Sequence, residues 1–272
     1  MRYIEIPPTA SLASYIKCFW FLESEASADP PTERILPDGC TEIVFNLADP
    51  FAQHQADGST RKQPLALLVG QMRRHLLIQP TGRVEILGIR FWPAGAYPFL
   101  SFPQHEIAGR ILDLGDVSRN IVREILSKLS DASAPSERVK LVQEVLLAQL
   151  RKSVPGNIVV DRAVELISRS DGAVPILDLA DKLGISLRGL DRQFNTHVGF
   201  SPKSLCRIVR FQRAVKLLSR VASTLDWAGV ALESGYYDQS HFIREFKSFA
   251  GKEPTSYIRE TNVMSDYFTQ IP

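Results

Sequence analysis

Arg188, Asp191, Arg192 and Asn195 stand at i, i+3, i+4 and i+7, and Gln239, Ser240, Ile243, Arg244 and Lys247 form a second set with helical spacing. On a helix each set is a single stripe. The residue types are those that read base edges: arginine donates two hydrogen bonds to guanine, glutamine pairs with adenine, and an apolar side chain touches the thymine methyl. A polar stripe on an amphipathic helix is most often only a solvated face, so spacing alone decides nothing. What sets these two apart is that they occupy equivalent places in a duplicated segment.

The segment from Ile176 to Ile258 repeats itself. Leu179-Ala180 with Gly184, then Leu190, Phe194, Gly199 and Pro202, returns as Val230-Ala231 with Gly235, then Phe242, Phe246, Gly251 and Pro254. The offset is 51 residues before the turn and 52 after it. Each copy reads as a helix, a glycine turn and a second helix. In the first, Pro175 opens a helix carrying Ile176, Leu179, Ala180 and Leu183. Gly184-Ile185 breaks it, and Ser186 caps a helix whose apolar side is Leu187, Leu190, Phe194 and Val198. In the second, Ser223 and Asp226 form a capping box, Gly235 turns the chain, and Asp238 caps a helix with Phe242, Phe246 and Phe249 inward.

The connector from Pro202 to Arg220 is helical in pattern, with Leu205, Ile208, Phe211, Val215 and Leu218 on one arc. Lys203, Arg207, Arg210, Arg213, Lys216 and Arg220 lie mostly on the other, and no acidic residue interrupts them. Its length of roughly 27 Å compares with the roughly 34 Å between successive major-groove turns on one side of B-DNA. Ser186, Lys203, Arg207, Arg210, Tyr237 and Lys247 border the stripes and are the expected phosphate contacts. The net charge of +2 conceals this local basicity, because the part before Pro155 carries 17 basic and 17 acidic residues.

These residues resemble the DNA-binding domain of the AraC/XylS family of bacterial transcriptional regulators. The resemblance runs through Ala180, Gly184, Ser186, Arg188, Leu190, Arg192, Phe194, Gly199, Ser201-Pro202, Arg210, Ala214 and Leu217-Leu218. It continues through Ala231, Gly235-Tyr236, the run from Ser240 to Lys247, Gly251, Pro254, Tyr257 and Arg259. It implies that Arg188, Asp191 and Arg192 read bases from the first recognition helix, and Gln239, Ser240, Ile243 and Arg244 from the second. Gly189 departs from a good helix former by roughly 1 kcal/mol. Asp191 either accepts from a cytosine amino group or orients Arg188. His241, Tyr236 and Tyr237 read as packing or phosphate contacts rather than as a reactive cluster.

The first 100 or so residues have a different grammar. Tyr15 to Leu22, Thr41 to Leu47, Leu65 to Gly70, Leu76 to Gln79 and Val84 to Trp92 are short apolar or alternating runs bounded by Pro, Gly and Asp. They predict a small β-barrel or half-jelly-roll. Pro37-Asp38-Gly39 is a turn, and Phe51 to Pro64 a polar loop. Helices are expected near Ile107 to Leu114, over Ser118 to Leu129 and over Ser136 to Arg151. The last is apolar around much of its circumference. That places it either between domains or in a homodimer interface, and paired half-sites favour dimerisation.

The expected fold class is therefore α+β: a cupin-like β-rich sensor and dimerisation domain over 1–154, with helices from about 100, a double helix-turn-helix domain over 157–262 and a tail over 263–272. The cupin-like order is what the resemblance implies, and Leu36-Pro37-Asp38-Gly39-Cys40 and Gly88-Ile89-Arg90-Phe91-Trp92-Pro93 resemble motifs of one subgroup's first domain. Trp20, Phe45, Arg90 and Trp92 are the candidate pocket for a small molecule with an anionic or carbonyl group, against a reading in which Arg90 points to solvent from a β-core. His54, His75 and His105 lack metal spacing and are expected at the surface. Cys18, Cys40 and Cys206 read as buried thiols, with no disulfide, structural zinc or cofactor expected.

No run approaches a membrane span and no signal peptide opens the chain, so a cytoplasmic protein is expected. The function these features imply is a non-enzymatic, sequence-specific DNA-binding regulator. An effector or protein partner would control it, with double-stranded DNA as ligand and RNA polymerase as a partner if it activates. The alternative is a DNA-directed enzyme or repair protein with its active site in the N-terminal domain. That reading needs an activated cysteine, and neither Cys18 nor Cys40 has Cys or His neighbours at ligand spacing.

Overall fold

Two antiparallel sheets build the first part of the chain. A computed structural model describes residues 1–129, 132, 134–153, 156–220 and 226–260. The expected break at Val154-Pro155, the capping residue Ser223 and the tail over 263–272 lie outside them. The larger sheet contains β1 (Arg2–Ile6), β2 (Ile16–Ser24), β4 (Glu42–Asn46), β7 (Ala66–Val69), β9 (Val84–Phe91) and β10 (Ile111–Asp113), in the order β1-β2-β9-β4-β7-β10. The smaller contains β3 (Glu33–Ile35), β5 (Ala52–His54), β6 (Thr60–Lys62) and β8 (Leu76–Gln79), in the order β3-β8-β5-β6.

Both faces of the larger sheet are buried, so its central strands are almost continuously apolar. Alternation sends Cys18, Trp20, Leu22, Val44 and Ile86 toward the second sheet, where they meet Phe51 and Ile78. It sends Phe19, Phe21, Ile43, Phe45, Leu87, Ile89 and Phe91 to the opposite face. That face is covered by α1 (Tyr97–Leu100), α2 (Leu114–Leu129, bent at Ser118) and α3 (Pro135–Leu150). Val139, Val142, Val145 and Leu146 of α3 are buried in this core. The helix thus packs on its own domain rather than between domains, which was one of the two places expected for it.

Three further expectations change. The helix near Ile107 to Leu114 is instead a 3-10 turn at Gln104–Glu106 and the edge strand β10, paired with β7. The polar loop from Phe51 to Pro64 holds the hairpin β5–β6. Before the repeat stands a helix not expected from the sequence, α4 (Ile158–Arg169), capped by the Asn157 side chain.

The second part is helical: α5 (Ile176–Lys182), α6 (Leu187–His197), α7 (Pro202–Arg220), α8 (Trp227–Glu233), α9 (Gln239–Ala250) and α10 (Pro254–Tyr257). It holds two cores with α7 running through both. Leu205 and Cys206 join α4, α5 and α6, while Ile208, Phe211, Val215 and Leu218 join α8, α9 and α10.

The β-domain docks on both halves of this unit and on the helix between them. Against α6 and its exit, Tyr97 meets the His197 ring at 4.3 Å and the Arg73 guanidinium lies 5.0 Å from the Phe200 ring centroid. Against α7, Gln212 Nε2 donates to Pro37 O at 2.5 Å and Leu36 enters the same core as Phe211. Against the end of α9, Arg34 Nη1 donates to Ala250 O at 2.9 Å, the His75 amide donates to Phe249 O at 2.8 Å, and Arg34 pairs with Glu260 at 3.3 Å. His75 is accordingly half-buried at this seam, where its ring packs against Gly251, which corrects its expected place at the surface.

Candidate nucleic-acid interface

The two helix-turn-helix units are built by local chemistry. Gly184 and Gly235 both adopt positive φ, 63° and 80°, at equivalent turns. Only glycine enters that conformation without a Cβ penalty, so the turn fixes both residues. Ser186 Oγ accepts from the Gly189 amide and caps α6, and Asp238 accepts from the His241 amide and caps α9. Gly189 has a reason to lack a side chain: a Cβ there would lie 2.9 Å from Ile185 Cγ1 and 3.1 Å from the capping Ser186 Oγ. Two caps fall later or earlier than expected. Pro175 is the N-cap of α5 rather than its first helical residue, and Asp226 is the N-cap of α8, accepting from the Ala228 amide.

The structure places Arg188, Asp191, Arg192 and Asn195 together on the exposed side of α6, opposite buried Leu190 and Phe194. Gln239, Ser240, Arg244 and Lys247 are exposed on α9, opposite Phe242, Phe246 and Phe249. Ile243 is half-buried and leans on the core beneath. No ion pair joins Asp191 to Arg188. Arg244 Nε donates to the Ser240 carbonyl at 3.3 Å, which lays the guanidinium along the helix surface.

The expected phosphate contacts divide. Ser186, Lys203, Tyr237 and Lys247 are exposed, Tyr237 to 88% and Lys247 in a 3.0 Å surface pair with Glu253. Arg207 and Arg210 are turned inward. Arg207 Nε meets Glu245 Oε2 at 2.7 Å, Arg210 Nη2 stands 3.9 Å from Glu245 Oε1, and Arg210 Nη1 donates to Gly172 O at 3.1 Å. Glu245 is buried on the inward side of α9, so this carboxylate ties the second recognition helix to the connector. Sequence reading missed its role, although an acid amid the basic residues of α9 was the available signal. Tyr236 is buried beside His241, where burial raises its phenol above the usual range.

The four candidate pocket residues are not brought together. Trp20 and Arg90 face the space between the sheets, whereas Phe45 faces the helices and Trp92 sits 40% exposed beyond the strand end. Arg90 is not on the solvent side either: it is 2% exposed and paired with Glu42, with Asp38 at 3.6 Å. Burial alone would lower its pKa, but the Glu42 and Asp38 carboxylates outweigh that and hold it above the ordinary arginine value. Burial pushes the Cys18 thiol up to about 12 and the Cys206 thiol to about 11, so neither is a nucleophile near neutral pH.

A tandem pair of capped helix-turn-helix units on one connector helix is the architecture of a DNA-binding domain, and residues 179–260 match the family described as "Helix-turn-helix domain". Residues 4–113 match one described as "Domain of unknown function (DUF6597)". Among curated proteins, an uncharacterized HTH-type transcriptional regulator of Haemophilus influenzae is 31% identical over 88 residues, 32% of this chain and 29% of that protein. The HTH-type transcriptional activator RhaS of Escherichia fergusonii is 24% identical over 145 residues, 49% of this chain and 51% of that protein. The chain thus spans about half or less of the length of these relatives. Among solved structures, ToxT from Vibrio cholerae aligns over 88% of this chain and 98% of its own at 11% identity and a TM-score of 0.48. A probable AraC family transcriptional regulator from Rhodopseudomonas palustris aligns over 36% of this chain and 95% of its own at 29% identity and a TM-score of 0.32. The helix-turn-helix match and these regulator relatives support a DNA-binding transcription regulator.

Proposed function

We propose that the chain is a sequence-specific DNA-binding transcription regulator that inserts α6 and α9 into adjacent major grooves under control of its β-domain. The observation that carries this reading is the pair of exposed stripes, Arg188–Asn195 and Gln239–Lys247, on helices that occupy equivalent positions in a duplicated unit. Bases are read by Arg188, Arg192, Asn195, Gln239, Ser240, Ile243 and Arg244. Asp191 accepts from a cytosine amino group, an assignment favoured by the lack of an ion pair to Arg188. Ser186, Lys203, Tyr237 and Lys247 meet phosphates, and Arg207 and Arg210 act as struts. The protein works in the cytoplasm as a homodimer on paired half-sites, and engages RNA polymerase if it activates. Among the described residues no helix is long and apolar enough to cross a membrane.

Control from the β-domain is supported by its contacts with α6, α7 and the end of α9, through which an effector or partner can shift the helices. The rival reading, a DNA-directed enzyme with a reactive cysteine, loses support because the thiols of Cys18 and Cys40 are buried and their pKa values raised. Selection of bound duplexes from a random pool tests the proposal. Arg244→Ala is expected to weaken binding to the selected site by about 1–3 kcal/mol and relax the preference at one base. Lys203→Ala is expected to lower the salt slope by about one unit with sequence choice intact. Equal affinity of Arg244→Ala and the parent for the best site would overturn it.

A further inference from the structure

A crevice of about 280 Å³ opens where the β-domain meets the first helix of the helical part. One wall is Ser14, Trp92, Ala94 and Gly95, and the other is the α4 face made by Asp161, Val164, Glu165, Ser168 and Arg169. It lies at the small end of ligand pockets, which run upward from roughly 300 Å³. Trp92 is a large aromatic residue left at the surface yet held in place, its indole N–H donating to Ala13 O at 3.0 Å and the Lys17 ammonium 5.7 Å from its ring centroid. Across from it the charges are unevenly matched. Glu165 is paired with Arg162 at 2.5 Å and with Arg169 at 2.7 Å, so the arginine bordering the crevice already has its counter-ion. Asp161 has no ion pair with any described residue.

We propose that this crevice binds a small organic ammonium with an aromatic or apolar body, the ammonium on the Asp161 carboxylate and the body against the Trp92 indole. An ammonium supplies the counter-ion that Asp161 lacks, and the indole, which already holds the Lys17 ammonium over its ring, offers apolar surface to the ligand's body. Burial raises the Asp161 carboxyl above the usual range, so a cation held there also lowers the cost of keeping it ionised. An anion is disfavoured on the same grounds, because Arg169 is already neutralised and Asp161 would repel it. A ligand so placed touches both domains and strengthens their docking. Its effect on DNA rests on the regulatory reading above, whereas its binding does not.

Calorimetric titration of the full chain with phenethylamine, phenethyl alcohol and phenylpropionate at millimolar concentration tests this. The amine is expected to bind and the other two are not. Asp161→Asn and Trp92→Leu are each expected to weaken the amine about tenfold or more while leaving the unliganded melting temperature within a degree or two. Binding of all three probes alike, binding unchanged in Asp161→Asn, or no binding of the amine would each overturn the proposal. Repeating DNA selection with and without the amine separates the two claims. A protein that binds the amine but selects no duplex defeats the regulatory reading and leaves the crevice assignment standing.

Discussion

Replacing Glu245 with alanine tests how the second recognition helix is held. The carboxylate is 5% exposed and meets Arg207 at 2.7 Å, with Arg210 at 3.9 Å and His241 at 3.8 Å. Removing one partner of a fully buried ion pair costs about 3–5 kcal/mol, most of it the penalty of stranding the other charge. Here the stranded groups are not fully buried: the Arg207 side chain is 40% exposed and that of Arg210 20%. Water can therefore solvate much of what is left, and the expected loss falls to about 2 kcal/mol. Urea denaturation of the full chain reads it as a lowered midpoint. Combining Glu245→Ala with Arg207→Ala should recover part of the loss, with a coupling of about 1 kcal/mol, because the double variant strands less charge. A loss of under about 0.5 kcal/mol, or strictly additive single variants, would refute the claim that this carboxylate joins α9 to the connector.

Gly88→Ala drives a Cβ into the indole of Trp20 in the space between the sheets, so a loss of about 2–3 kcal/mol is expected in thermal unfolding, relieved in part by Trp20→Leu. Gly251→Ala forces a side chain into φ +74° at the end of α9 and into the His75 ring. The expected loss is about 1–2 kcal/mol, and the double variant with His75→Ala should recover some of it. His75 also makes stability pH-dependent. Burial and then Arg34, with Arg74 and Lys252 adding to it, lower its folded-state pKa below the ordinary 6.5. A base whose folded pKa is depressed favours the neutral folded state, so the stabilisation is complete above pH 6.5 and is lost as pH falls toward the folded value. The denaturation midpoint of the parent should drop more than that of His75→Gln on acidification, and parallel curves would refute it.

The parts legible in the sequence are those fixed by residues a few positions apart. Ser186 and Asp238 cap helices through amides three residues on, and Gly184 and Gly235 turn the chain by their own φ. Both recognition stripes follow from these. Short segments with mixed signals failed. Ile107, Ile111, Leu112 and Leu114 have helix-like spacing, yet Ile111–Asp113 pairs with β7 because an exposed sheet edge was there to be satisfied. The hairpin β5–β6 is polar, so it lacks the alternation by which a strand is recognised. Before α4, Asn157 and the i, i+3, i+7 set Val160, Ala163 and Ile167 were readable as a cap and a helix face. Their β-branched start masked the signal. The candidate pocket failed for another reason. Trp20 lies opposite Gly88 and Phe45 opposite Leu87, on opposite faces of one sheet, and that register depends on pairings some 40 to 70 residues apart.

What the sequence could not reveal at all is the seam between the domains, because each of its bonds joins distant residues. Arg90 reaches Asp38 from within the β-domain, and Asp38 belongs to the turn that its carboxylate also braces by accepting from the Cys40 amide. The preceding Pro37 carbonyl takes a hydrogen bond from Gln212 of α7, and the next residue, Gly39, comes close enough to Leu205 that a Cβ would lie 3.0 Å from its Cδ1. Three contacts thus run from the buried guanidinium between the sheets to the helix that spaces the two recognition units. The turn has little freedom to absorb a displacement, since one side is ion-paired and the other packed against a helix core. A change of charge or position at Arg90 must then either break the Asp38 pair or be passed to α7. The same helix carries Arg207 and Arg210, which hold Glu245 of α9. A physical route from the β-domain to α9 therefore needs no mobile linker. It needs only that a small set of buried polar contacts be made or unmade together.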